Sequence, residues 1–413
     1  MNRRIDMENL LPTKNNNFES YNRLIKAIKL LIIKVTKMSH LINYAYLIII
    51  ITCLWNLQAA EKTDSLSILG DIELFKSRKT NIKVFPYVYY TPETSLAFGV
   101  GGIITFYTSQ YRLLRPSKIS LSGYYTINKQ FKFSISPQIY FYQNMFLLFT
   151  DLNYGHYVDR YYGVGNDTPD IENASYNSNA WGFYLNMQLP PLLKEYSHTK
   201  IGIIFDLYHY KITDIKENPY LTNQTIEGNK GKISSGFGFI WVWDNRNSIF
   251  YPTSGGLHQI KAIFYFKQIG SDFVFNHYEL DLRQYLKIRE RKVLAFQLFG
   301  QFVKINAPFY ELAKLGGQRI MRGYFEGRYR DKNYVAFQSE FRSHIWGRLG
   351  YVLFIGTGDV AKEIKDLDLL NMKISAGFGL RFIFNKEENV NIRTDIGFGK
   401  NSSGVYFGIE ESF

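Results

Sequence analysis

The sequence predicts an all-β fold, a transmembrane antiparallel β-barrel of about sixteen strands. Three observations predict it. The 413-residue chain carries 32 Tyr, 33 Phe, 5 Trp and 32 Gly, yet its mean hydropathy is only −0.19. That is too polar for a bundle of membrane helices, and a hydrophobic fraction of 46% is too high for a disordered chain. Aromatic excess of this size fits the girdles of a barrel at the membrane interface. The second observation is an apolar/polar alternation of period two along most of the chain. The third is an export-type leader before the alternation begins.

The leader comes first in the chain. Residues 41–54 read LINYAYLIIIITCL, an apolar run broken only by Asn43, with lysines upstream and Ala59 and Ala60 downstream. A charged, then apolar, then small-residue order is that of a secretory signal, and the apolar core is short for a span of about 20 residues. Residues 38–60 are therefore expected to be a signal peptide starting at Met38. Residues 1–37 would be an untranslated or disordered extension, and 61–81 a short periplasmic segment. The chain has one cysteine, Cys53, inside the leader core, which excludes a disulfide framework. The formal net charge is +13, and a chain starting at Glu61 carries 41 basic and 33 acidic residues, net +8. These charges are scattered and commonly sit near an acid, so no nucleic-acid face is expected.

From residue 82 the alternation takes over. Phe131, Phe133, Ile135, Pro137 and Ile139 interleave with Lys132, Ser134, Ser136 and Gln138. Tyr278, Leu280 and Leu282 interleave with Glu279, Asp281 and Arg283, and Val335, Phe337 and Phe341 with Gln338, Glu340 and Arg342. Ile392, Ile396 and Phe398 do so with Arg393, Asp395 and Gly397. A helix would scatter such sets around its circumference, whereas a strand puts each on one face. Sixteen runs are expected: 82–90, 95–107, 117–126, 129–141, 144–154, 178–189, 198–212, 232–243, 256–268, 273–287, 292–304, 333–345, 348–358, 372–384, 389–399 and 404–413. Runs of roughly 9–13 residues suit a tilted membrane-crossing strand. The longest connections are 155–177, 213–231 and 305–332. The whole of 82–413 then forms one barrel.

Two motifs and the chain's last strand resemble the BamA/TamA superfamily, also called the bacterial surface antigen family. Leu315–Tyr324 reads LGGQRIMRGY, similar to that family's GG…(V/I)RG(F/Y) element, with Gly316, Gly317, Arg322, Gly323 and Tyr324 at the matching places. Counted back from the last strand, it lies in the sixth extracellular loop, as in the family. Residues 244–255 read DNRNSIFYPTSG, similar to the family's DxR…PxxG turn through Asp244, Arg246, Pro252 and Gly255. Residues 161–167 (YYGVGND) and 394–399 (TDIGFG) resemble weaker family phrases. Phe413, with Phe407 and Ile409 in step behind it, resembles the outer-membrane barrel signal at a C-terminus, though Glu411 breaks the alternation.

The resemblance implies a bacterial outer-membrane barrel whose long loop folds into the lumen. There Arg322 would pair with Glu340 beside Phe354. The family's second acid falls where this chain has Gly356, so Asp359 is expected to substitute. The resemblance also implies help with insertion, assembly or translocation of proteins or lipids, acting on client outer-membrane proteins or with periplasmic accessory proteins in contact with outer-membrane lipid. In the family, the seam between first and last strands admits clients. Pro86 in the first strand and Gly404 and Gly408 in the last are expected to weaken that seam. About 22 residues separate Ala60 from Lys83, too few for the family's periplasmic POTRA domains, so a barrel-only member is expected.

Enzyme chemistry is not expected. The seven histidines (40, 156, 198, 209, 258, 277 and 344) lie in no nucleophile motif, and no HExxH or CxxC spacing occurs. No cofactor or metal is expected. The rival reading is a passive diffusion channel of the same fold, since a sixteen-stranded lumen is aqueous unless plugged. Lys132, Glu279, Asp281, Arg283, Glu340, Arg342, Arg381, Arg393 and Asp395 would then line it.

Overall fold

A computed structural model describes residues 80–413 apart from 92–93, 110–113, 143, 172–173, 192–197, 217, 223–225, 369, 371 and 387–388. The expected extension, the signal peptide and nearly all of the segment at 61–81 lie outside the described residues. Sixteen strands form one continuous antiparallel sheet that nearly closes into a barrel. They are β1 (Asn81–Thr91), β2 (Ser95–Phe106), β3 (Ser117–Thr126), β4 (Phe131–Phe141), β5 (Phe146–Arg160), β6 (Ser175–Leu189), β7 (Thr199–Asp214) and β8 (Gly231–Asp244). There follow β9 (Gly255–Tyr265), β10 (Phe275–Arg289) and β11 (Lys292–Ile305). After a hairpin of β12 (Ala313–Leu315) and β13 (Tyr329–Asp331), the barrel resumes with β14 (Asn333–Trp346) and β15 (Leu349–Ala361). It ends with β16 (Lys373–Asn385), β17 (Val390–Gly399) and β18 (Ser402–Ile409). Each barrel strand pairs with the next, with β14 following β11. β1 and β18 lie side by side, yet no hydrogen-bonded ladder joins them among the described residues.

The alternation explains the faces. Ile82, Val84 and Val88 on β1, Phe133 and Ile135 on β4, Leu353 and Ile355 on β15, and Phe378, Leu380 and Phe382 on β16 are exposed outward, where lipid covers them. Their neighbours in sequence turn inward, so Gln297, Gln338, Glu340, Arg342, Arg381, Arg393 and Asp395 are buried. One end of the barrel has tight turns, for example at 290–291 and 347–348, and the other has the long connections. Short turns mark the periplasmic end and long loops the extracellular end.

Every expected run is a strand, with three departures. β5 continues to Arg160 and β6 begins at Ser175, because Asp159 Oδ2 accepts from the Tyr176 hydroxyl (3.0 Å) across the extended ladder. The connection expected at 155–177 therefore shrinks to 161–174. The long loop contains the β12–β13 hairpin, whose three-residue strands are too short to show a period. The last strand, expected to reach Phe413, stops at Ile409 because Glu410 takes a left-handed φ of 70° and turns the chain inward.

Candidate functional site

The loop of residues 306–332 is held at two places. The first is the LGGQRIMRGY element. Gly316, Gly317 and Gly323 have φ of 108°, 103° and 114°, a backbone region that side chains disfavour. Gly317 donates its N–H to the Tyr324 carbonyl (3.1 Å) and Gly327 to that of Leu315 (2.9 Å), folding the segment back on itself. This bend aims Arg322 at the polar faces of β14 and β17, where it is completely buried. Its Nη1 donates to Asp395 Oδ2 (2.6 Å) and its Nη2 to Glu340 Oε1. The guanidinium also lies over the Phe354 ring, 3.6 Å from the centroid, a cation–π contact in a dry place.

Close approach requires small residues opposite. Asp395, Gly397 and Gly399 share one face of β17 by the strand period. A Cβ on Gly397 would stand 2.6 Å from the Arg322 carbonyl carbon, and one on Gly399 2.6 Å from the Tyr324 ring. Gly323 donates its N–H to the Tyr406 hydroxyl (2.9 Å) on β18. The Tyr324 hydroxyl donates to the Ile374 carbonyl (3.0 Å) and accepts from the Lys400 N–H (2.9 Å). The element thus touches β14, β15, β16, β17 and β18.

Arg322 belongs to a linked set of four guanidiniums and three carboxylates. Arg342 Nε donates to Glu340 Oε2 (2.8 Å), Arg381 to Asp395 (2.6 Å) and Glu411 (2.7 Å), and Arg393 to Asp395 (2.7 Å). All seven side chains are at most 4% exposed. The last residues join in. Ser412 Oγ donates to Glu340 Oε1 (2.7 Å), and Arg342 Nη2 to the Phe413 backbone oxygen (2.9 Å).

Two expectations are corrected here. Asp359 does not reach Arg322; it accepts the Asp368 N–H (3.1 Å) and lies 3.8 Å from Lys373 Nζ. Asp395 takes that place, because Met321 fills the space at Gly356, its Sδ 3.3 Å from where a Cβ would be. The 394–399 phrase does not by itself pair Asp395 with Arg322; its only sequence signal is the Asp395, Gly397, Gly399 spacing. Phe413 does not continue the outward face set by Phe407 and Ile409. It is 4% exposed and packs with Tyr285, Val293 and Ala295, drawn inward by the Glu411 and Ser412 bonds. The 244–255 motif does form a turn. Arg246 donates to Asp244 through Nε (2.9 Å) and Nη2 (3.2 Å), and Arg115 reaches the same carboxylate (2.6 Å). Pro252 is buried, and Gly255 has φ of 86°.

The second hold is aromatic. Phe309 sits against Tyr161 and Tyr176 (centroids 4.7 and 5.6 Å), and Tyr310 stacks on Tyr210 at 4.4 Å. Buried Arg330 donates to the Arg160 carbonyl (2.8 Å), and Gly165 donates to the Arg330 carbonyl (2.9 Å), which joins the YYGVGND segment to β13. Between the two holds lies a cavity of about 360 Å³ lined by Glu311, Lys314, Gln318, Gln301 and Tyr334 among others. Glu311 is pushed up to about 7 by burial, with the Asp206 carboxylate adding and Lys314 opposing. The folded loop therefore keeps a proton that an unfolded Glu311 loses near 4.5, so loop stability falls as pH rises from about 4.5 to 7. The loss is at most about 3 kcal/mol. Hydrogen exchange of the loop amides at pH 5 and pH 8, after correction for intrinsic rates, should show weaker protection at pH 8. Glu311→Gln should remove the difference; a parent equally protected at both would contradict it.

Known proteins share this fold. The Omp85 superfamily domain model matches residues 115–413. Among solved structures, BamA from Haemophilus ducreyi lacking POTRA domains 1–3 is similar at TM-score 0.51 and 15% identity, over 80% of this chain and 70% of that one. CdiB from Acinetobacter baumannii is similar at TM-score 0.50 and 14% identity, over 80% of this chain; the chain spans 65% of CdiB. No curated protein matches the sequence. With sixteen antiparallel strands, an outward apolar face and this match, the chain is a bacterial outer-membrane β-barrel that belongs to the Omp85 superfamily.

Proposed function

We propose that the protein assists insertion or translocation of proteins at the outer membrane, through the seam between β1 and β18 and not through the lumen. One observation carries this reading: β1 and β18 are neighbours without a ladder, so both edges keep backbone groups free to pair with an incoming strand. The periplasmic half supports it. β18 ends at Ile409, and β1 turns Phe85 toward Phe384 of β16 (5.8 Å) with Lys83 over the same ring. The loop held by Arg322 fills the lumen and keeps the barrel's shape while the seam parts. No cofactor enters this mechanism; backbone pairing and hydrophobic burial of the client supply the driving force.

The test is folding of an unfolded small outer-membrane barrel into liposomes with and without this protein. Incorporated protein should speed client folding about tenfold or more, a barrier lowered by about 1.4 kcal/mol. Cysteine pairs placed along β1 and β18 should abolish the gain when oxidised and restore it when reduced. The described barrel residues contain no cysteine, so each pair reports only on the seam. Undiminished client folding with a fully oxidised seam would contradict the proposal.

A further inference from the structure

The hairpins β10–β11 and β14–β15 are neighbours, joined by the β11–β14 ladder, and both end on the short-turn side of the barrel. Their tips read Lys287, Ile288, Arg289, Glu290, Arg291, Lys292 and Ile345, Trp346, Gly347, Arg348, Leu349, all exposed. Five of these side chains are basic and one is acidic. Among the described residues, none of the five has a carboxylate partner. Elsewhere on this end, Arg115 and Arg246 share the Asp244 carboxylate, and Lys118 is paired with Glu410 (2.5 Å). The two adjacent tips thus gather five exposed basic side chains on neighbouring hairpins.

The same tips are apolar on their outward side. Trp346 is 78% exposed, and Leu286, Ile288, Ile345 and Leu349 are also exposed. These residues continue the lipid-facing band, so the bases stand at headgroup depth, with Trp346 at the boundary. Both hairpins have register shifts just below their tips, at Lys287/Arg289 and His344/Trp346. Such bulges bend a strand and re-aim its side chains. A positive, partly apolar rim at that depth suits a phosphate-bearing lipid headgroup better than an acidic protein, which would meet the apolar side chains only by displacing lipid.

We propose that Lys287, Arg289, Arg291, Lys292 and Arg348, with Trp346, form a binding surface for anionic phospholipid headgroups in the periplasmic leaflet. Unpaired bases attract a phosphate of extra negative charge, and the interaction is screened by salt. Enrichment of such lipid would sit to one side of the β1–β18 seam, with β15 three strands from β18 in the sheet order.

The experiment uses Trp346 as reporter. Full-length protein is reconstituted in phosphatidylcholine vesicles containing phosphatidylglycerol or phosphatidylcholine brominated near the headgroup, and tryptophan quenching is measured. Subtracting the Trp346→Phe protein isolates the Trp346 signal from the other tryptophans. Brominated phosphatidylglycerol should compete for the site roughly fivefold better than brominated phosphatidylcholine. The preference should vanish in about 1 M salt, where the Debye length is about 3 Å. It should also vanish when the five bases are replaced by Gln, a variant whose changes are all exposed. The salt arm needs no variant and so does not depend on its folding. Equal quenching by the two lipids, or a preference that survives both salt and the Gln replacements, would overturn the proposal and leave an acidic protein partner as the rim's occupant.

Discussion

Replacing Arg322 by Ala should release the long loop while leaving the barrel folded. The reason lies in the charge count of the buried set. Four guanidiniums face three carboxylates, so loss of Arg322 leaves three of each sign, and Arg342, Arg381 and Arg393 still serve Glu340, Asp395 and Glu411. What disappears is the loop's share: two charge-assisted hydrogen bonds and the contact with Phe354, together about 3 kcal/mol. The opposite deletion is worse for the barrel. Glu340→Ala or Asp395→Ala leaves four buried guanidiniums with two carboxylates, an uncompensated charge expected to cost the barrel itself about 3–5 kcal/mol. Trypsin and heat separate the two cases. Arg322→Ala should be cut within the loop, at Lys314, Arg319 or Arg328, yet run as a heat-modifiable folded barrel. Asp395→Ala should lose heat-modifiability at a lower temperature than the parent. A parent-like, protease-resistant Arg322→Ala would show that the aromatic hold at Phe309 and Tyr310 suffices alone.

How much of this was legible in the sequence follows from the length of each pattern. The barrel strands are long enough for the alternation to repeat four or more times, so each of the sixteen runs could be read, most with ends shifted by only a few residues and β5 with its end six residues further on. β12 and β13, three residues each, offer no repeat to read. The Arg322–Glu340 pair was legible through the RG(Y) element and the inward parity of Glu340. Asp395 was not, because its partnership depends on how closely the loop approaches β17, and that is set by Gly397 and Gly399 jointly. The inward turn at Glu410 left one trace: Glu411 broke the apolar face, and in the structure it bonds Arg381 and Asn391 (2.7 and 2.8 Å). The aromatic hold left no trace, since Phe309 and Tyr310 belong to no periodic run.

We expect the loop also to set what the lumen conducts, and removing it carries the largest effect expected. With residues 308–330 present, Phe309, Tyr310, the β12–β13 hairpin and Arg322 occupy the space between β5–β10 and β14–β18. Sixteen strands without that filling enclose a water-filled channel. The most direct measurement is the single-channel conductance, in planar bilayers, of the parent, Arg322→Ala and the 308–330 deletion. A plugged barrel gives a small, flickering parent current, longer openings in Arg322→Ala, and a large, steady current in the deletion. A parent current that is already large, steady and ion-selective, and unchanged by removing the loop, would contradict the account and make the protein a diffusion pore that shares only the family's shape.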